Sequence, residues 1–252
     1  MTDDTSRKRE AAAAFDESAS EYLESDVHRA GDDLAQLASW CSEANRALDV
    51  ATGAGHTAGA IADQGVEHVV ATDAAPKMVE TATTEFPIAG VVSDAERLPF
   101  ADGSFDAVAC RIAAHHFPNP EAFVEDVARV TADGGVFALE DNVAPAESEL
   151  DGFLNEVERL RDPTHVRSYT ESEWRQWLTE AGFDVEERLL LSKEIDYRDW
   201  VRQLETPAEN RAQLREAFAD PPAGASELFD ITYEDGELVS FSNLKLLVLA
   251  RR

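Results

Sequence analysis

Between residues 48 and 142 short runs rich in valine and alanine alternate with amphipathic helical segments, and this alternation narrows the fold more than any other feature of the chain. LDVAT (48–52), VEHVVATD (66–73), IAGVVSD (88–94), FDAVACRI (105–112) and VFALEDN (136–142) read as strands. Between them, residues 55–63, PKMVETATTE and PEAFVEDVARVTADGG read as helices, the second with a proline near its start and the third closed by glycines. Strands that are apolar on both faces need cover on both sides. The pattern therefore predicts an α/β fold: a doubly wound, mostly parallel sheet with helices on each face. Residues 10–24 and 29–41 are expected to be helical, and residues 1–9 frayed. Beyond residue 142 the rhythm loosens: helices are expected over 147–160 and 171–181, a strand over 183–191, mostly helix over 196–218, and a last strand in LVSFSNLKLLVLA. Without a repeat or a Ser/Gly linker, the chain reads as one domain over 1–252. Residues 10–41 would form an N-terminal lid, 45–142 a ligand-binding core, and 143–252 a part that shapes a second pocket.

The 252 residues carry 51 Asp and Glu against 22 Lys and Arg, a formal net charge of −29. The excess is dispersed, and only Lys8, Lys77, Lys193 and Lys245 are lysines. No basic cluster offers a nucleic acid phosphate a footing, so no nucleic acid partner is expected. A dispersed acidic, lysine-poor surface suits a cytoplasmic protein of a high-salt cell, where salt screens self-repulsion. Cys41 and Cys110 form no CxxC pair, and no His, Cys or acidic spacing suggests a metal site. No apolar run reaches about 18 residues, so no stable membrane insertion is expected, and no secretory leader is apparent at the N-terminus.

The stretch LDVATGAGHTA places Gly53 and Gly55 directly after a buried strand and before a helix. Such a turn brings backbone N–H groups and a helix N-terminus close to a ligand. Alone it also matches GxGxxA, the dinucleotide pattern. Three aspartates sharpen the reading. Asp49 lies inside the first strand, unfavourable beside a pyrophosphate but suited to a cationic or zwitterionic ligand. Asp73 closes the second strand, where a carboxylate can accept both hydroxyls of a ribose. Asp94 closes the third, placed to accept from an adenine amino group. One strand-end aspartate is commonly a helix cap; three in register with a glycine turn are not explained that way.

LDVATGAGHTA, VVATDAAPKMVE, VVSDAERLPFADGSFDAVACRIAAHHF and LEDN together resemble the ordered motifs of class I S-adenosylmethionine-dependent methyltransferases, and among them the group acting on small molecules that includes the ubiquinone/menaquinone C-methyltransferases. The resemblance covers about residues 45–142, with weaker echoes on both sides. It implies a Rossmann-like, seven-stranded sheet with an antiparallel last strand, S-adenosyl-L-methionine as cofactor, and a small-molecule acceptor. It places Asp49 near the methionine end, Ala51, Thr52, Gly53, Ala54 and Gly55 around methionine and ribose, Asp73 on the ribose, and Ala74 and Met78 near the adenine. Asp94 and Ala95 would read the adenine amino edge, and Arg111 would border the transferred methyl. The family turn usually reads DxGxGxG; here Ala51 and His56 stand at the first and last glycine positions.

Methyl transfer needs alignment of donor and acceptor, and a base only if the acceptor must lose a proton. The candidates are His115 and His116 in RIAAHHF, since histidine titrates near neutrality. Tyr22 and His28 in the N-terminal segment, and His165 and Arg167 in THVRSYT, are expected at the acceptor pocket. Trp174 and Trp177, three apart on a helix, are expected to pack. Two alternatives share parts of the pattern: a nicotinamide-dependent oxidoreductase, which would not account for Asp49 or SDAERLPFADGSFD, and a non-catalytic cofactor-binding protein.

Overall fold

The computed structural model describes residues 4–24 and 31–252, without the side chains of residues 18, 20–22 and 24. Its centre is a sheet ordered β3-β2-β1-β4-β5-β9-β7. These strands are β1 (Arg46–Val50), β2 (His68–Asp73), β3 (Ala89–Val92), β4 (Phe105–Arg111), β5 (Thr131–Ala144), β7 (Asp184–Asp196) and β9 (Glu237–Arg251). The first five pair in parallel; β9 runs antiparallel between β5 and β7. Two short strands lie off this path: β6 (Tyr169–Thr170) beside β5 and β8 (Thr232–Glu234) beside β9. This is the expected mixed α/β sheet with an antiparallel end.

Alternation along β1 shows how the sheet is covered. Leu48 and Val50 enter a core with Phe105, Phe123, Val127, Phe137, Trp174 and Phe183, under helices α5 (Pro120–Val130) and α7 (Glu171–Glu180). Ala47 faces the other side, with Leu37, Ala38 and Ile61, from α2 (Asp32–Trp40) and α3 (His56–Asp63). Asp49 shares that second face. Trp174 packs edge-on against Trp177 and Tyr169, as a structural tryptophan should. A third core joins α6 (Ser148–Arg161), α8 (Tyr197–Gln203), α9 (Ala208–Ala219) and α10 (Ala225–Leu228) to β9 through Phe153, Trp200, Leu214, Phe218 and Phe241.

Four local expectations are corrected. Helix α1 spans Asp4–Glu24, where fraying was expected to residue 9; Lys8 pairs with Asp94 and Glu96, tying that turn to the core. TADGG belongs to β5 rather than to the preceding helix, because Thr131 turns extended and pairs with Phe105. The helix expected over 196–218 breaks into α8 and α9 at Pro207, which has no N–H to continue it. Strand β7 runs on to Asp196, held along its length by β9.

Candidate active site

The strand order reverses between β1 and β4, and ligands of open α/β sheets bind in the crevice at such a switch point. At the end of β1 the chain turns through Ala51 (φ 55°), Gly53 (φ 53°) and Gly55 (φ 94°) into α3. Buried Asp49 fixes this turn: its Oδ2 accepts from Thr52 Oγ1 at 2.6 Å and from the Ala58 N–H at 3.1 Å. Burial pushes its carboxyl up to about 7, with Asp73 adding to the rise against the opposing effect of those two donors. Asp49 itself is sealed behind the turn; Ala51, Thr52, Gly53 and Ala54 face the cavity. Gly55 does not. A Cβ there would meet the Ala82 Cβ at 2.7 Å, so its role is the close approach of α3 to α4 (Pro76–Glu85).

Asp73 ends β2 with Oδ2 accepting from Gly53 N–H at 3.0 Å and Oδ1 from Ala75 N–H at 2.9 Å. Ala74, Met78 and Ala95 form the neighbouring apolar wall. Asp94 is not free at its tip: Lys8 of α1 sits 2.7 Å from its Oδ2, while its Oδ1 accepts from Glu96 N–H.

On the other side, Arg111 ends β4. Its guanidinium donates to Glu140 Oε2 at 2.6 Å and to Asp33 Oδ2 at 2.9 Å. Lys193 Nζ reaches the same Asp33 oxygen at 3.0 Å. Burial opposes the charge on Asp33, yet Arg111 and Lys193 hold that carboxyl well below the usual range. Arg111 is therefore a partner of two carboxylates as well as a wall of the cavity. Ile112 follows with φ 52°, a strained setting for a β-branched residue, and donates its N–H to Glu140 O at 2.7 Å.

A one-turn 3₁₀ helix, Ala114–His116, then presents both histidines. His115 is buried with Nδ1 2.5 Å from Asp141 Oδ1. Burial, then His116, drives its pKa well below the ordinary value, so the ring is neutral; burial raises Asp141 to about 6. His116 Nδ1 meets the Thr164 hydroxyl at 3.1 Å, and its ring packs edge-on against Phe15 of α1. His165 lies with its ring 5.4 Å from that of His115 and bonds Asn155; burial lowers it to about 2. All three histidines line one cavity. Arg167 does not line it: its guanidinium reaches Asp151 Oδ2 at 2.6 Å and lies over Tyr169, while its backbone N–H donates to His115 O. His28 and the side chain of Tyr22 lie outside the described residues.

Several site residues were given no role from sequence: Asp33, Glu158, Lys193, Asn243 and Lys245, and also Glu140, Asp141 and Asn142, although LEDN stands out as a motif. One signal was available. Three of the chain's four lysines, Lys8, Lys193 and Lys245, line this cavity.

The cavity encloses about 1180 Å³ and runs from the glycine turn to these histidines and lysines, large for a single small ligand. Its β1–β3 end fits S-adenosylmethionine. Each Asp73 oxygen accepts one backbone N–H and keeps a lone pair for a ribose hydroxyl, and a Cβ at Gly53 would project into open space. Among the described residues no group of His, Cys, Asp and Glu is placed to hold a metal ion, and no helix is long and apolar enough to cross a membrane.

Fold and site together define a methyltransferase whose cofactor is S-adenosylmethionine. A methyltransferase-domain family model matches residues 48–139. The chain is 35% identical over 243 residues to the uncharacterized methyltransferase YcgJ of Bacillus subtilis (strain 168), covering 93% of this chain and 96% of that one. It belongs to that methyltransferase family. The crystal structure of a Bacillus halodurans C-125 protein assigned to the methyltransferases superposes with a TM-score of 0.83 at 38% identity, over 88% of this chain and 99% of the other. A demethylmenaquinone methyltransferase of Beutenbergia cavernae is 36% identical over 147 residues, 54% of this chain and 61% of that protein. These relatives give no support to the nicotinamide or the non-catalytic alternative.

Proposed function

We propose that the chain methylates a small-molecule acceptor bound between the cofactor and the histidine cluster, with His115 as general base. When bound, S-adenosylmethionine would supply a methyl group on a sulfonium centre, with the sulfur keeping the carbon–sulfur electron pair and leaving as a neutral thioether. Asp73 would hold its ribose, Ala74, Met78 and Ala95 its adenine, and Asp94 the adenine amino group once Lys8 yields. Asp49 would favour the cationic end through the turn it supports. Arg111, committed to Asp33 and Glu140, would position the wall beside the methyl rather than touch the reacting atoms. His115, fixed by Asp141 at Nδ1, would take the acceptor's proton at Nε2 as the acceptor's electron pair forms the new bond to carbon. Helix α1, which contributes Lys8 and Phe15 to the cavity wall, would serve as the lid.

The observation that carries this reading is one continuous cavity joining the Gly53–Asp73 cradle to the His115–Asp141 pair. A partly closed chamber with room for both a cofactor and a second small molecule suits a metabolite acceptor, and the charge of −29 suits a high-salt cytoplasm. Calorimetry in molar potassium chloride with S-adenosylmethionine, its demethylated product and NADH tests the site. Binding of the first two that is lost in Asp73→Ala is expected. Binding of NADH alone would overturn the assignment.

A further inference from the structure

The far end of the cavity is floored by the last strands of the sheet. Register sets Asn142 of β5 beside Lys245 of β9, and Asn243 of β9 beside Lys193 of β7. Paired residues share a face, as do positions two apart on a strand, so these four side chains form one polar patch. All four line the cavity. Their charges are not equally matched. Lys193 and nearby Arg111 are held by Asp33 and Glu140. Lys245 is only 5% exposed, and among the described residues its one hydrogen bond goes to a neutral group, Asn142 Oδ1, at 2.5 Å. An ammonium has three donors; two are unused.

The carboxylates that face Lys245 act on it only through space: Glu140, Asp141 and Glu158 attract it, and Lys193 repels it. Each has a nearer partner on one oxygen: Arg111 for Glu140, His115 for Asp141, and the Asn243 amide for Glu158 at 2.7 Å; Glu140 Oε1 and Asp141 Oδ2 are buried without one among the described residues. Asn243 Oδ1 is itself buried without a hydrogen-bond partner among the described residues. An incompletely bonded buried ammonium beside an unbonded buried carbonyl is costly in a folded chain unless a ligand completes both.

We propose that Lys245 and Asn243 form the acceptor's recognition subsite, and that the acceptor is a small hydroxylated organic acid. Its ionised oxygen accepts from Lys245, and an adjacent hydroxyl donates to Asn243 Oδ1. Ile195 and Trp200, which also line the chamber, supply an apolar wall for its carbon skeleton. This assignment rests on the methyltransferase reading and names the substrate class for that site.

The test is calorimetry on the full chain saturated with the demethylated cofactor, titrated with salicylate, salicylamide and benzoate. Salicylate carries both groups, salicylamide lacks the charge, and benzoate lacks the hydroxyl. Salicylate is expected to bind ~10-fold or more tightly than either analogue. Lys245→Met should abolish the preference over salicylamide, and Asn243→Leu the preference over benzoate, with cofactor-product affinity unchanged in both. Equal binding of salicylate and salicylamide to the unmodified protein, or binding of neither, overturns the proposal without recourse to a variant. Failure of the demethylated cofactor to bind would instead bring down the methyltransferase reading beneath it.

Discussion

Gly55 and Ala51 occupy the same turn and answer to different constraints. At Gly55 both conformation and space forbid a side chain: φ is 94°, and a Cβ would fall 2.9 Å from the Ala82 Cα. Gly55→Ala should cost ~2–4 kcal/mol, read as a lower denaturation midpoint, because backbone rather than a flexible side chain must yield. Ala51 tolerates φ 55° as an alanine, so Ala51→Gly should be neutral or stabilising by up to ~1 kcal/mol. Asp49 makes a pH-dependent prediction. Its folded carboxyl is raised from 3.8 to about 7, so the native state binds the proton more tightly than the unfolded chain. Stability is thus lost as pH climbs through that interval, by ~4 kcal/mol across the whole of it. A cationic ligand favours the ionised form, so binding of S-adenosylmethionine near pH 6.5 should release a proton. Calorimetry in two buffers of different ionisation enthalpy would detect it, and Asp49→Asn should erase it. His115 should stay neutral through the same range, its proton on the nitrogen that faces Asp141, as nitrogen chemical shifts of the imidazole would report.

Helix α1 lies at the edge of the molecule and meets the rest of the chain through side chains rather than strand pairing: Phe15 and Ala19 pack on Ala75 and Met78, Phe15 meets His116 edge-on, Asp16 accepts from Lys77 N–H, and Lys8 pairs with Asp94 and Glu96. Strands β4, β5 and β9 are paired on both sides. Amide exchange should therefore be much faster in α1 than in those strands, and should slow when the demethylated cofactor binds beneath the helix. Exchange in α1 indifferent to the cofactor would remove it as a lid. The same contrast explains what the sequence disclosed. Asp49, Asp73 and Asp94 stood out as candidates because each lies at or within two residues of a strand end next to a local turn signal. His115 and His116 were legible for the same reason, one step past β4. Asp33, Lys193 and Lys245 were not. They reach the site from α2, β7 and β9: the antiparallel register of β9 between β5 and β7 brings Lys193 and Lys245 to one face, and the packing of α2 brings Asp33 to Lys193. Arg167 misled because its backbone, not its side chain, meets His115.

Across the whole molecule the charges differ in their exposure to salt. Acidic groups dominate a chain of net charge −29, while the cavity wall mixes Arg111, Lys193 and Lys245 with Asp73, Glu158 and Asp162. Exterior charges repel one another through water, where salt shortens their reach from ~10 Å at 0.1 M to ~3 Å at 1 M. Lys245 and Arg111, both buried, are shielded from that salt by the protein around them. Folding stability and ligand recognition should therefore respond differently to potassium chloride. The melting temperature should climb steadily from low salt to molar salt, by more than sucrose of equal osmolarity produces, since sucrose screens no charge. Over the same range the preference for an anionic over a neutral acceptor analogue should fall far less than exposed charges would allow. A melting temperature indifferent to salt would mean that the acidic surface is not a liability needing dense ions. A preference that vanished with salt would mean that Lys245 meets its ligand in contact with bulk solvent.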